Sequence, residues 1–280
     1  MNFQKNRAIK IMGIINCSKE SFYIPSIKIS KDDISSYTKK LEDEGANIID
    51  LGGMSTAPYL DTIISPEEES RRLVKAVKAI KRVSDLPLSI DTPRAIVAEN
   101  AISHGVDIIN DVCGLKYDDR MAEIVAKYGV KIILGAYSKR QISKGDINST
   151  YRILYGSIKK AIDSGIKNHN IILDPSIGFF RQEGKNPFFT KINIPWYLRD
   201  LHIISEIKQL TNLGFPLCLS ISNKSFIGEI LHLKPEERLL PSLILEALAI
   251  INGINIIRTH NVQHTAQMLK ILNRFDNIQI

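Results

Sequence analysis

Ile172-Leu173-Asp174-Pro175-Ser176-Ile177-Gly178-Phe179 is an apolar run that stops abruptly on a carboxylate. Residues 171–173 are too few and too β-branched for a helix and predict a buried strand, which Asp174-Pro175 terminates. An unpaired charge at the end of a buried strand is costly to desolvate, so Asp174 needs a partner, and a ligand is one candidate. The same pattern recurs in Leu88-Ser-Ile-Asp91-Thr92-Pro93 and in Val106-Asp-Ile-Ile-Asn110-Asp111. It extends toward both ends of the chain in Lys10-Ile-Met-Gly-Ile-Ile-Asn16, Asn47-Ile-Ile-Asp50 and Ile256-Ile-Arg258-Thr-His260. In a parallel barrel or an open α/β sheet the C-terminal strand ends share one face, so these polar residues would converge there.

Strands are predicted over residues 8–15, 47–51, 87–90, 107–109, 130–134, 171–173, 215–219 and 255–257, each followed by a helical stretch. The first helix, near 32–44, stops at Gly45, which suits a left-handed C-cap. The second begins with Ser65 as N-cap, Pro66 in the first turn and Glu68 placed to complete a capping box. Residues 180–195 form the longest irregular stretch. A helix is predicted over residues 235–252, and Pro241 inside it predicts a kink or a break. Eight βα units in roughly 250 residues fit a single-domain (β/α)8 TIM barrel spanning residues 1–280, with an open doubly wound sheet as the alternative.

Of 280 residues, 44% are hydrophobic and 24% charged, and 37 Lys and Arg against 30 Asp and Glu give a formal charge of +7. Lysines such as Lys75, Lys78 and Lys81 read as a solvated helix face, and no basic block interleaved with aromatics points to nucleic acid. Cys17, Cys113 and Cys218 form neither a CxxC pair nor a zinc set, which fits reduced thiols. Without a long apolar N-terminal region or a run of about 20 apolar residues, a soluble, cytoplasmic protein with no membrane role is expected.

Asp91, Asn110 and Asp174 fall at the ends of strands three, four and six. Two acids and an amide suit a flat, nitrogen-rich heterocycle, because carboxylates accept its N–H donors while an amide both donates and accepts. A single Asp at a strand end can equally be an N-cap. Lys224, Arg258 and His260 would bring cations to the same face, suited to a carbonyl or a phosphate, and Ser225 opens a helix whose N–H groups favour an anion. The plainer alternative for Arg258 is a pair with a neighbouring acid. Asn16, followed by Ser18, offers oxygen ligands, but magnesium there would be held largely by a substrate's phosphates. Neither a Walker P-loop nor a GxGxxG fingerprint is present.

The succession Met12-Gly-Ile-Ile-Asn16-Cys-Ser-Lys-Glu-Ser21-Phe22, Gly45-Ala-Asn-Ile-Ile-Asp50-Leu-Gly-Gly53-Met-Ser55-Thr56, Ser89-Ile-Asp91-Thr92, Ile108-Ile-Asn110-Asp111-Val-Cys-Gly114, Asp174 to Phe179, Ser222-Asn-Lys224-Ser-Phe-Ile-Gly228 and Arg258-Thr-His260-Asn-Val262 resembles the dihydropteroate synthases. That family is a (β/α)8 barrel that joins a dihydropterin diphosphate to 4-aminobenzoate and releases diphosphate. The resemblance implies that Asp91, Asn110 and Asp174 hold the pterin and that Lys224 reaches its ring carbonyl and N5, with Lys224 and Asp91 as the catalytic residues. It also implies that Asn16 helps bind Mg2+, that Thr56, Arg258 and His260 lie near the diphosphate or the loops, and it leaves a homodimer open.

The chain departs from the family on the loop side. Lys19-Glu20 replaces the usual Pro-Asp, Ala57 and Asn223 stand where arginines are usual, and Leu134-Gly-Ala-Tyr137 lacks the usual His and Met. These changes predict poor turnover of 4-aminobenzoate, whose carboxylate would be left to N–H groups near Ser225. They predict better turnover of a para-substituted derivative, for which Gly135 and Ala136 would leave room. A pterin-dependent methyltransferase and a non-catalytic pterin-binding protein are the alternatives.

Overall fold

Short parallel strands alternate with helices along the computed structural model, which describes residues 9–20 and 23–275. The strands are β1 (Lys10–Asn16), β2 (Ile48–Gly52), β3 (Leu88–Asp91), β4 (Ile108–Asp111), β5 (Lys131–Gly135), β6 (Ile171–Asp174), β7 (Cys218–Leu219) and β8 (Ile256–Thr259). They pair in parallel in the order β6-β5-β4-β3-β2-β1-β8-β7. A bridge between Leu173 and Leu217, with Leu173 N donating to Pro216 O at 2.9 Å, joins the two edges and closes the barrel. The open doubly wound sheet is thereby excluded. Ala8, at the predicted start of the first strand, and Ser21-Phe22 of the first motif lie outside the described residues.

Side chains alternate across a strand, so each strand sends every second residue into the barrel. Met12, Ile48, Ile108, Ile133, Ile172, Cys218 and Ile256 form one buried cluster. Two residues further along the same strands come Ile14, Asp50, Asn110, Gly135, Asp174, Ser220 and Arg258, with Asp91 two residues beyond Ser89 on β3. An apolar floor and a polar layer above it thus follow from period-2 spacing. The larger core packs the outward faces of the strands against the helices.

The helices are α1 (Lys31–Asp43), α2 (Pro66–Ile80), α3 (Ala95–Ser103), α4 (Met121–Tyr128), α5 (Ile147–Asp163), α6 (Trp196–Ser205), α7 (Ser225–Leu231), α8 (Leu239–Ile251) and α9 (Val262–Phe275). Gly45, at φ +104°, ends the α1 region in the left-handed conformation its position predicted. Ser65 accepts from Glu68 N at 3.2 Å, as an N-cap should. The Glu68 carboxylate, however, turns to Arg71 and Arg72 at 2.8 Å, because two guanidinium groups within one turn outcompete a single backbone N–H.

Pro241 does not kink its helix. The helical stretch divides into a 3-10 turn at Pro235–Glu237 and α8, so Pro241 falls in the first turn of α8, where an N–H would lack an intrahelical acceptor anyway. Residues 180–195 are also more ordered than predicted. Phe180–Arg181 pairs in parallel with Thr190–Lys191, and Phe180 and Phe188 are fully buried. Asn186 Nδ2 donates to Ala57 O at 2.8 Å and Lys185 N to Pro58 O at 2.7 Å, docking this loop onto the loop after β2. No helix among the described residues is long and apolar enough to cross a membrane.

Candidate active site

Two adjoining pockets open at the C-terminal end of the barrel. The inner one, about 350 Å³, is lined by Asp91, Asn110, Val112, Gly135, Asp174, Phe179 and Lys224, among others. The outer one, about 640 Å³, shares Asp91, Phe179, Lys224 and Arg258 with it and adds Asn16, Thr56, Tyr59, Arg181, Ser225 and His260. All eight residues expected at the site therefore line one or both pockets.

Register explains the inner pocket: Asp91 stands beside Asn110 and Gly135 beside Asp174 on paired strands. Asp174 Oδ1 accepts from Ser176 N at 2.7 Å, which orients the carboxylate. Burial pushes the Asp174 carboxyl above the usual carboxylate range, opposed by the Ser176 N–H and the charge of Lys224. Burial and then the charge of Arg258 push the Lys224 ammonium down to about 8, against the pull of Asp174, Asp200 and Asp91. Its Nζ lies 4.7 Å over the Phe179 ring.

The loop carrying Ser176 to Phe179 is clamped from behind by α6. Arg199, fully buried, donates to Pro175 O, Gly145 O and Asp200 Oδ1 at 3.0–3.1 Å, and Asp200 Oδ2 accepts from Gly178 N at 2.8 Å. The pair escaped the sequence reading, although a charged dipeptide within the apolar face of a helix is itself a signal of buried work.

Arg258 takes the plainer role, pairing with neighbouring acids. Its Nε donates to Asp50 Oδ2 at 2.7 Å and its Nη2 to Asp91 Oδ2 at 2.9 Å. Burial works against the charge, but the two carboxylates outweigh it and hold the guanidinium ionised. Burial pushes the Asp91 carboxyl up, with Asp50 adding to the rise and Arg258 opposing it. Asp50, fully buried at the midpoint of β2, does more than end a strand: it positions Arg258.

His260 is not a cation in this site. Burial, then Arg258 and Lys224, push its imidazole down to about 3, so it is neutral at physiological pH. Its Nδ1 lies 2.6 Å from Ser222 Oγ, and its ring is 4.7 Å from that of Tyr23. Gly135 does not open space for a larger acceptor either. A Cβ on it would meet Val112 O at 2.2 Å, so the glycine admits the backbone after β4. Asn16 Nδ2 donates to Ser26 Oγ at 2.7 Å, so its carbonyl oxygen is the atom that could ligate an ion. Among the described residues no group of three His, Cys, Asp or Glu could hold a metal ion.

A closed (β/α)8 barrel with acids, an amide and a lysine around a pocket at its C-terminal rim has the architecture of a pterin-binding enzyme, and the profile of the pterin-binding enzyme family matches residues 12–260. Dihydropteroate synthase of Bacillus subtilis is 34% identical over 268 residues, covering 95% of this chain and 88% of that protein. The corresponding protein of Clostridium beijerinckii is 37% identical over 263 residues, covering 93% and 92%. The structure of Clostridium difficile dihydropteroate synthase, solved with pteroic acid, superposes with a TM-score of 0.83 at 31% identity, covering 98% of each chain. This chain belongs to the dihydropteroate synthase family.

Proposed function

We propose that the chain, acting over residues 1–280 as one pterin-binding domain, condenses a 6-hydroxymethyl-dihydropterin diphosphate with 4-aminobenzoate or a related arylamine and releases diphosphate. The observation that carries this reading is the convergence of Asp91, Asn110, Asp174 and Lys224 on one inner pocket. Asp174 and Asn110 bond the amino and ring N–H groups of the pterin, and the Lys224 ammonium donates to its carbonyl and N5. Asp91, held by Arg258, completes the acceptor set. The carbon–oxygen bond at the exocyclic methylene breaks, diphosphate departs with the bonding pair, and the arylamine nitrogen attacks that carbon from the outer pocket and then loses a proton. Dipoles and charges fixed around the ring before reaction stabilise the cationic character that develops on it.

The residues present fit Mg2+ as an ion carried mainly by the diphosphate. Asn16 offers a carbonyl oxygen at the pocket wall that no described residue bonds, and Mg2+ typically keeps several waters and takes one or two protein ligands plus substrate phosphates. The ion supplies charge neutralisation to the leaving group. Thr56 and the residues after it, docked against the loop after β6, wall the acceptor side, with Arg258 and His260 toward the diphosphate.

The partner of the protein itself is a second copy of the chain. Leu240, Ile244, Leu248 and Ile251, each 41–68% exposed, repeat along one face of α8 and form an apolar stripe suited to an isologous interface. The test of function is diphosphate release by purified protein given the dihydropterin diphosphate, Mg2+ and 4-aminobenzoate. Formation of a pterin–arylamine product supports the synthase reading. Pterin binding without diphosphate release from any arylamine overturns it.

A further inference from the structure

Arg181 is a guanidinium in the wall of the outer pocket with no acid paired to it among the described residues. It sits on the short extended segment Phe180–Arg181 within the loop after β6, only 6% exposed, seven residues beyond Asp174. Its Nε donates to Gly178 O at 3.1 Å and its Nη2 to Ser225 Oγ at 2.6 Å. Its plane lies against Trp196, with Cζ 3.4 Å from the ring centroid, and Tyr59 stands 5.5 Å away. These contacts fix the group by stacking and by two neutral acceptors, and none of them neutralises its charge. Among the described residues no carboxylate comes within ion-pair distance; Asp200, whose field it feels, is already bound to Arg199 and Gly178 N.

The other cations of this pocket are differently placed. Arg258 is already charge-paired with Asp50 and Asp91, Lys224 belongs to the inner pocket it shares with Asp174, and His260 is neutral. A nearly buried guanidinium with spare N–H donors in a pocket wall is costly unless an anion reaches it, and a planar fork matches a carboxylate bidentately. On the synthase reading above, the outer pocket takes an arylamine whose amine points at the pterin and whose carboxylate points away from it.

We propose that Arg181 anchors the acceptor carboxylate in the outer pocket. The loop after β6 then supplies the cation that neither Ala57 nor Asn223 can provide, and plain 4-aminobenzoate, rather than a bulkier neutral derivative, is the matched acceptor. Arg181 selects the acceptor through its charge and takes no part in breaking the bond to diphosphate.

The experiment compares wild type with Arg181→Met and Arg181→Lys, the latter keeping the charge should the former fold poorly. For each, kcat and KM are measured with 4-aminobenzoate, with 4-aminobenzamide as the neutral isostere, and with the dihydropterin diphosphate. Arg181→Met should raise KM for 4-aminobenzoate about tenfold or more, the loss of one charge-assisted contact, while KM for the benzamide and for the pterin substrate stay within about twofold. Arg181→Lys should recover part of the loss for the benzoate alone. Equal losses for benzoate and benzamide would reduce Arg181 to a wall of the pocket, and a raised KM for the pterin diphosphate would assign it to the leaving group; either overturns the inference. Calorimetric titration of 4-aminobenzoate into pterin-saturated protein reads the same contact without turnover. A protein that releases no diphosphate but whose 4-aminobenzoate affinity falls in Arg181→Met keeps this inference and refutes the synthase reading, whereas equal affinities refute the inference.

Discussion

Asp174→Asn separates the cost of a charged group to the fold from its value to the ligand. Asp174 Oδ1 is held by Ser176 N at 2.7 Å, and an amide oxygen can keep that bond. The amide nitrogen then occupies the position of the second carboxylate oxygen, setting a donor against a donor of the heterocycle. A charge-assisted hydrogen bond is worth about 1.5–3 kcal/mol, so pterin affinity should fall roughly 10- to 100-fold. Stability should move the other way. Burial raises the folded carboxyl above its unfolded value, so the stability this group contributes is present below the unfolded pKa and lost as pH rises through the folded one. At neutral pH the carboxylate is thus a cost to the fold that the neutral amide relieves. Calorimetry with 6-hydroxymethylpterin, alongside a thermal melt by circular dichroism, should give weaker binding with Tm unchanged or raised. Unchanged affinity would refute the pocket assignment, and a fall in Tm that tracks the loss of affinity would make Asp174 a structural residue.

Three further outcomes are expected. Because the Lys224 ammonium is pushed down to about 8, its charge is lost as pH rises through that value, so pterin affinity should decline between pH 7 and pH 9; titrations at three pH values check this, and Lys224→Met should bind weakly with a flattened profile. Free pterin should bind equally well in EDTA, whereas the diphosphate ester should lose affinity there and lose less in Asn16→Ala, which has already given up the protein's share of the ion; equal ester affinity with and without Mg2+ would remove the metal role. Leu240→Glu with Ile244→Glu should convert a dimer to a monomer in sedimentation velocity, and a wild-type monomer would show that the α8 stripe serves some other purpose.

Much of this site was legible because β-strands carry their instructions locally. Side chains alternate with period two, so Ile48-Ile-Asp50, Ile108-Ile-Asn110, Ile172-Leu-Asp174 and Ile256-Ile-Arg258 each state a floor residue and a rim residue within three positions. Eight such units on parallel strands bring the rim residues to one end whatever the loops contain. The Ser65 cap and the Gly45 terminus were readable for the same reason, since both concern backbone groups within one turn.

What the tertiary structure decided concerns charge and reach across the barrel. Arg258 meets Asp50 and Asp91 over 208 and 167 positions of chain, and no local pattern says that two acids will claim it or that His260, beside it, will be neutral. Whether Gly135 leaves space depends on the backbone of Val112, just beyond the end of the neighbouring strand β4. Arg181 falls in residues 180–195, which in sequence form only an irregular stretch. It becomes a buried cation, without an acid partner among the described residues, only because Asn186 and Lys185 dock that loop on residues 57–60 and Trp196 arrives from α6 to stack on it. Desolvation and pairing energies depend on every group within a few ångströms, and those groups are chosen by the closing of the barrel rather than by their neighbours along the chain.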